Sequence, residues 1–387
     1  MPTARDDIIR ITADTLVDGL AGNDEFHWAG GAATIIGGAD TFDANPYTPG
    51  NPGGDRLFIE GPGAFVRLDA WDAGFARLGS DRLIFTGVER IHGTTGADMI
   101  RAGRASLGLD GQGVSLFTGD GNDDIVGSRG NDVIDGGAGN DTIRAGAGND
   151  FIQSSTGDDL IYGGAGDENI RWGLGDAHWH NPGNDTIYGG EGHDLINVWV
   201  KDGDFNGADH VAGGNVTITA TRQWGDFQGV ATVGTDDRGG VATLRFQGFE
   251  QGWTHEGNDT VSGANAKVFG NIGFQWNTRW GDDRLTGSAG NDTLEGGEGR
   301  DTIEGGRGND LISANGEFYN LRTPGDGDAD VIVFNRGDGH DTVLGFDVGI
   351  DVIETDMAYQ ATRVSGGTLL TFESGDSILL SNVFDFG

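Results

Sequence analysis

The chain has 387 residues, with 24 basic against 61 acidic side chains and a formal charge of −37. So acidic a surface repels nucleic-acid phosphates and anionic lipid headgroups, which excludes both as first partners, and it resists compaction unless cations are bound. Glycine fills 74 positions, and with nine Trp and twenty Phe present the excess points to a regular turn-rich repeat rather than to disorder. Cysteine is absent, so neither disulfides nor thiolate metal sites hold the fold. The opening Met1-Pro-Thr-Ala-Arg-Asp-Asp7 lacks the apolar core of a signal peptide, and no apolar run approaches the roughly 18 residues of a membrane span. The expectation is a soluble chain with neither a cleaved leader nor a span.

A first array of short repeats begins near residue 19. It is interrupted at about 59–90 by a segment without the glycine period, which is expected to form strands or loops leaving the array. From Thr118 the pattern is regular: Asp123, Asp132, Asp141, Asp150 and Asp159 recur every nine residues, each two positions after a glycine and two before an isoleucine. Glycine permits the left-handed angles of a tight turn, Asp offers carboxylate oxygen to a hard cation, and the residues around each Ile form a short strand with Ile inward. Such strands are too short to stand alone. Stacked with two nonapeptides per coil, they predict an all-β solenoid with an aliphatic interior and a line of ions along each edge. Calcium fits better than magnesium, because an irregular cage of carboxylates and carbonyls does not supply strict octahedral geometry. Ala33 and Glu168 stand where the Asp belongs, so no ion is expected at the first and an altered site at the second.

The nonapeptide G-G-x-G-x-D-x-U-x resembles the calcium-binding repeat of the RTX, or hemolysin-type, family of secreted Gram-negative proteins. The resemblance implies a right-handed parallel β-roll, several Ca2+ ions held between loops two repeats apart, and passage through type I secretion machinery to the cell exterior. On this reading the metal-binding residues are Asp123, Asp132, Asp141, Asp150, Asp159, Asp185, Asp194, Asp283, Asp292, Asp301 and Asp310.

Beyond the first array, the eight residues Trp172 to Trp179 break the nonapeptide phase. The surrounding stretch concentrates Arg171, Trp172, His178, Trp179, His180, Tyr188, His193, Trp199 and Lys201. The repeat resumes at Asp185 and Asp194, is interrupted again at about 214–250, and returns from Asp283 to Asp310. Leu83-Ile-Phe-Thr-Gly-Val-Glu89 matches Leu244-Arg-Phe-Gln-Gly-Phe-Glu250, and Asp98 matches Asp259, so the chain is an internal duplication. The expected domains are 1–171, 172–313 and a terminal segment 314–387. Arg279 and Trp280 fall where the first array has plain turn residues, Gly119 and Asp120. From Gly325 the pattern degrades through Asp330 and Asp341 into an alternating stretch ending at Leu380. This is similar to the C-terminal cap of RTX proteins, whose last segment carries the type I secretion signal.

Arg144 and Tyr162 lie two repeats apart at an outward position, so they are neighbours on adjacent coils, and Tyr188 or Arg171 continues the ladder. A solenoid groove lined by Arg, Tyr and His resembles the parallel β-helix enzymes that epimerise or cleave uronate polysaccharides such as alginate. The repeats also resemble the R-modules of bacterial mannuronan C5-epimerases, although no segment matches the catalytic module that accompanies those modules. Removing the weakly acidic C5 hydrogen of a uronate needs a group that neutralises the carboxylate, a base and an acid. Arg171 or Arg144, His178 or His180, and Tyr162 or Tyr188 are the candidates for these roles in turn. Trp172, Trp179, Trp199, Lys201, Arg279 and Trp280 are the candidate substrate-binding residues. The expected function is that of a secreted calcium-dependent protein acting on an anionic polysaccharide as C5-epimerase or lyase. The alternative is a noncatalytic surface, adhesion or polysaccharide-binding protein. Neither H-E-x-x-H nor G-x-S-x-G occurs in a suitable strand-turn-helix context.

Overall fold

The computed structural model describes residues 6–11, 15–38, 54–108, 111–173, 183–198, 216–223, 227–233, 242–255, 257–266, 271–315 and 325–386. Among them there are strands and turns and no α-helix, hence no helix long and apolar enough to cross a membrane. The chain forms two compact units, Met1–Trp172 with Pro182–Asp194, and Gly173–Asn181 with Leu195–Gly387. Each is a parallel β-roll.

In the first unit the repeat isoleucines stack in two columns. Ile125, Ile143, Ile161 and Ile187 pair in parallel register in one sheet, and Ile134, Ile152 and Ile170 in the other. All seven are fully buried. A buried Ile side chain stabilises by roughly 1.5–3 kcal/mol, so strands of three to eight residues hold only because each coil covers the next. The second unit repeats the plan with Val261, Leu285, Ile303 and Ile332 in one column and Trp276, Leu294, Ile312 and Val343 in the other. Glycine is required where coils meet: Gly139 has φ 128°, and a Cβ there would stand 1.6 Å from the carbonyl oxygen of Gly121 on the preceding coil.

The non-repeat inserts do not leave the roll as the sequence led us to expect. In the first, Phe65–Ala70, Ala73–Leu78 and Asp81–Thr86 form an antiparallel meander. Its two outer strands pair in parallel with the repeat strands Met99–Arg101 and Ala33–Ile36. In the second, Val216–Gln223, Phe227–Val233 and Thr243–Phe249 form a similar meander, whose first strand pairs in parallel with Thr260–Ser262. Splicing the insert into the sheet leaves no unpaired edge, whereas a projecting hairpin would expose two.

The C-terminal end closes differently. Tyr359–Val364, Gly367–Phe372 and Ser377–Ser381 run antiparallel, and the last of them pairs with His340–Leu344. Phe372 packs on Phe334 at 4.6 Å between ring centroids, which seats the hairpin over the end of the aliphatic column. These strands behave as the cap that a solenoid needs.

Candidate calcium sites and the basic tyrosine ladder

The repeat aspartates form two carboxylate lines in each unit. On one edge of the first, the main-chain N–H of Asp123 donates to Asp141 Oδ1, that of Asp141 to Asp159, and that of Asp159 to Asp185, all at 2.7–2.8 Å. On the other, Asp132 donates to Asp150 and Glu168 to Asp194. In the second unit Asp259, Asp283, Asp301 and Asp330 form one such series, and Asp292, Asp310 and Asp341 the other.

A second relay runs the opposite way. The residue before each Asp is usually Asn, and its Oδ1 accepts the N–H of the matching residue one coil later: Asn122 from Asn140 at 2.9 Å, Asn140 from Asp158 at 3.0 Å, Asn131 from Asn149 at 2.8 Å. Adjacent coils are thus cross-linked by side chains in both directions.

One oxygen of each acid is therefore committed, and the other decides whether a cation fits. Oδ2 of Asp141, Asp150, Asp159, Asp301 and Asp310 is buried and accepts no hydrogen bond. Glycines wall the space beside it: a Cβ on Gly136 would lie 2.5 Å from Asp141 Oδ2, and one on Gly305 2.4 Å from Asp310 Oδ2. Among the described residues no three acidic or histidine side chains converge on one point. The donors are therefore carboxylates, singly or in pairs, together with turn carbonyls, a hard-oxygen set that suits calcium. Burial, reinforced by the neighbouring carboxylates, pushes Asp141 and Asp150 up to about 8 and Asp159 to about 9. Glu168, with the same causes, is pushed up to about 9, and its main-chain N–H keeps the place in the line by donating to Asp194.

Two of the expected metal ligands are satisfied without an ion. Asp132 Oδ2 accepts the Ser128 N–H at 2.6 Å, and its Oδ1 accepts both the Ser128 hydroxyl at 2.6 Å and the Val114 N–H at 2.7 Å. Ser288 treats Asp292 the same way, at 2.6 and 2.8 Å. Thr94 does so for Asp98. In these turns a hydroxyl residue four positions before the Asp takes the place of the open oxygen. Ser128→Ala is expected to lower stability in the presence of chelator by about 1–3 kcal/mol, since a buried carboxylate loses a hydroxyl donor. Urea unfolding at matched calcium levels measures this, and an unchanged midpoint would show that the hydroxyl does not hold Asp132.

Of the candidate polysaccharide-site residues, the structure brings together Arg144, Tyr162 and Tyr188, which pair in register on one outer face. The tyrosine rings stack at 5.0 Å and 8°, and the Arg144 guanidinium lies 5.7 Å from the Tyr162 ring and 3.3 Å from Asp124. Tyr162 and Arg144 are exposed. Arg171 does not join them: it sits on the other sheet, opposite Gln153, with its guanidinium 4.8 Å over Phe151. Trp172 is fully buried and fills the interior, so it offers no face to a sugar. Strand alternation turned its side chain inward next to an outward Arg171, which the broken repeat phase had hidden. His178, Trp179, His180, Trp199 and Lys201 lie outside the described residues. Arg279 and Trp280 stand together in the second unit.

Stacked nonapeptide coils with buried carboxylate lines define a calcium-binding β-roll. The family model described as RTX calcium-binding nonapeptide repeat (4 copies) matches residues 85–105, 117–152, 144–176, 181–198 and 278–312. These segments are calcium-binding RTX repeats. No curated protein matches the chain. Among solved structures it is similar to the extracellular lipase LipA from Serratia marcescens, with 17% identity and a TM-score of 0.20, over 69% of this chain and 44% of the lipase. The chain thus spans less than half the length of that protein.

Proposed function

We propose that this RTX protein works outside a Gram-negative cell, as a calcium-assembled roll that holds an acidic, uronate-bearing polysaccharide on the Arg144–Tyr162–Tyr188 ladder. The observation that carries this reading is the ladder itself: an exposed guanidinium and two stacked phenols in register, on a chain whose formal charge is −37. The rings cover one face each and Arg144 stands over Tyr162, so the guanidinium and the phenol hydroxyls are the groups proposed to recognise the sugar by hydrogen bonding and charge. The ladder supplies a carboxylate partner in Arg144 and two phenol hydroxyls, which suffice for binding, while Arg171 stands on the opposite sheet. Epimerase or lyase chemistry would require His178 or His180 to supply a base beside Tyr162 or Tyr188. Export as an unfolded, calcium-free chain through a type I channel accords with a fold that needs the ion.

The test uses calcium-loaded protein and polymannuronate. Retention of the protein by the polymer is expected, with the affinity of Arg144→Ala reduced about tenfold, a loss of about 1.4 kcal/mol. Tyr162→Phe should weaken binding less, since only a hydroxyl is removed. Proton NMR of the sugar and absorbance of unsaturated ends separate epimerisation and elimination from binding alone. If the parent ignores every uronate polymer, the proposed ligand is wrong.

A further inference from the structure

In the second unit the turn Thr278-Arg279-Trp280-Gly281-Asp282-Asp283 takes the place of Thr118-Gly119-Asp120-Gly121-Asn122-Asp123 in the first. Gly119 has φ 93°, and Arg279 keeps a left-handed backbone at φ 70°, a conformation that glycine adopts with far less steric conflict. The main-chain duty of the two residues is the same: Gly119 accepts the N–H of Ala138 at 2.8 Å, and Arg279 that of Glu298 at 2.7 Å. Nothing in the turn therefore asks for a side chain at this position. Yet the Arg279 guanidinium is clamped between two indoles, 4.7 Å from the Trp253 ring and 5.5 Å from that of Trp280. Among the described residues it makes no ion pair or side-chain hydrogen bond. The acidic neighbour in its field is Glu295, which accepts a hydrogen bond from Asn277 Nδ2 at 2.6 Å. The indoles neighbour the guanidinium carbon without taking its N–H groups, and a guanidinium's planar fork matches a carboxylate in bidentate fashion. Ser155 holds the same left-handed angle at this repeat position in the first unit, so what sets Arg279 apart is a half-buried cation with unused donors between aromatic neighbours.

We propose that Arg279 is the centre of a second saccharide site, whose guanidinium edge receives the carboxylate of a uronate unit while Trp253 and Trp280 flank the sugar ring. It rests on the acidic-polysaccharide reading for its ligand class, but on different residues in a different unit.

The experiment is calorimetric titration of the calcium-loaded full chain with a uronate trisaccharide and with a neutral trisaccharide, beside thermal melts. Arg279→Gly restores the repeat's ordinary residue, so it should melt at the same or a higher temperature and bind the uronate at least tenfold more weakly. Arg279→Lys, which keeps charge but loses the fork, should lie between, and the neutral sugar should not bind. A lower melting temperature for Arg279→Gly would make the indole clamp a packing device and overturn the proposal, as would unchanged uronate affinity. An Arg144→Ala, Tyr162→Ala, Tyr188→Ala triple variant separates the two readings. Loss in that variant with parent-like Arg279→Gly removes this site and leaves the ladder. Loss only in Arg279→Gly supports this site and removes the ladder. A parent that binds neither sugar overturns both.

Discussion

Chelation of calcium is expected to abolish most of the β signal of this chain and expand it, and millimolar calcium to restore both, while equimolar magnesium does not. Carboxylates such as Asp141, Asp150 and Asp159 are buried beside like charges with an oxygen that no protein donor satisfies, so folding without cations must either bury uncompensated charge along each edge or take up protons. Small-angle scattering and far-ultraviolet circular dichroism during a calcium titration measure the transition. The midpoint should fall at about 10⁻⁴–10⁻³ M, the range of extracellular calcium modules. A midpoint below about a micromolar would let the chain fold in the cytosol and would sink the export route proposed above. A spectrum indifferent to chelator would remove the ions from the folding argument altogether.

Mild acid should substitute for calcium. Burial, with neighbouring like charge, pushes Asp159 up to about 9, Asp283 and Asp301 to about 8 and Asp185 to about 7, and burial pushes Asp123, Asp132 and Asp292 to about 6, against an ordinary value near 4 in the unfolded chain. Between those limits the folded state holds protons that the unfolded state has released, so stability without calcium falls as pH rises from about 4 to about 8. Calcium reverses the slope, because the ion binds the deprotonated oxygens. In chelator, a β signal present at pH 5 and lost by pH 8 is the expected result. The gain in melting temperature on adding calcium should widen over the same interval. Global repulsion from the net charge would act in the same direction, but 0.5 M salt screens exposed charge much more than buried carboxylates. A pH dependence that disappears in salt would therefore assign the effect to the surface instead.

The repeat fold was legible because the nine-residue phase fixes both which Ile faces inward and which Asp lies at the turn, and those positions are where the structure has them. Asp98, Asp259, Asp330 and Asp341 carry the same carboxylate lines but were left out of the ligand set. Their partners lie 24 to 31 residues away instead of 18, because loops lengthen the coil without shifting the column. The Asn of the recurring Gly-Asn-Asp was visible in the sequence, but an exposed amide at a turn is ordinary until its partner on the next coil is known. Ser128 and Ser288 were equally visible four residues before an Asp, yet a period-based reading treats them as imperfect glycines. The candidate polysaccharide residues were the hardest to place. Arg171 and Tyr188 are close in sequence and in composition argument, but the chain crosses between sheets between them, and only the strand pairing reveals it.

The spliced meanders have a topological meaning. An antiparallel neighbour reverses chain direction once, so three strands reverse it twice and return the backbone to its original heading, as the parallel pairing of both outer strands of the first insert demonstrates. The coil that follows meets a strand indistinguishable in polarity from the one it would have met without the insertion. Parity is therefore the rule of growth for such a sheet: extra strands enter in pairs, whatever their sequence, and a single additional strand would present the next repeat with an antiparallel edge and break the turn geometry on which every downstream ion position depends.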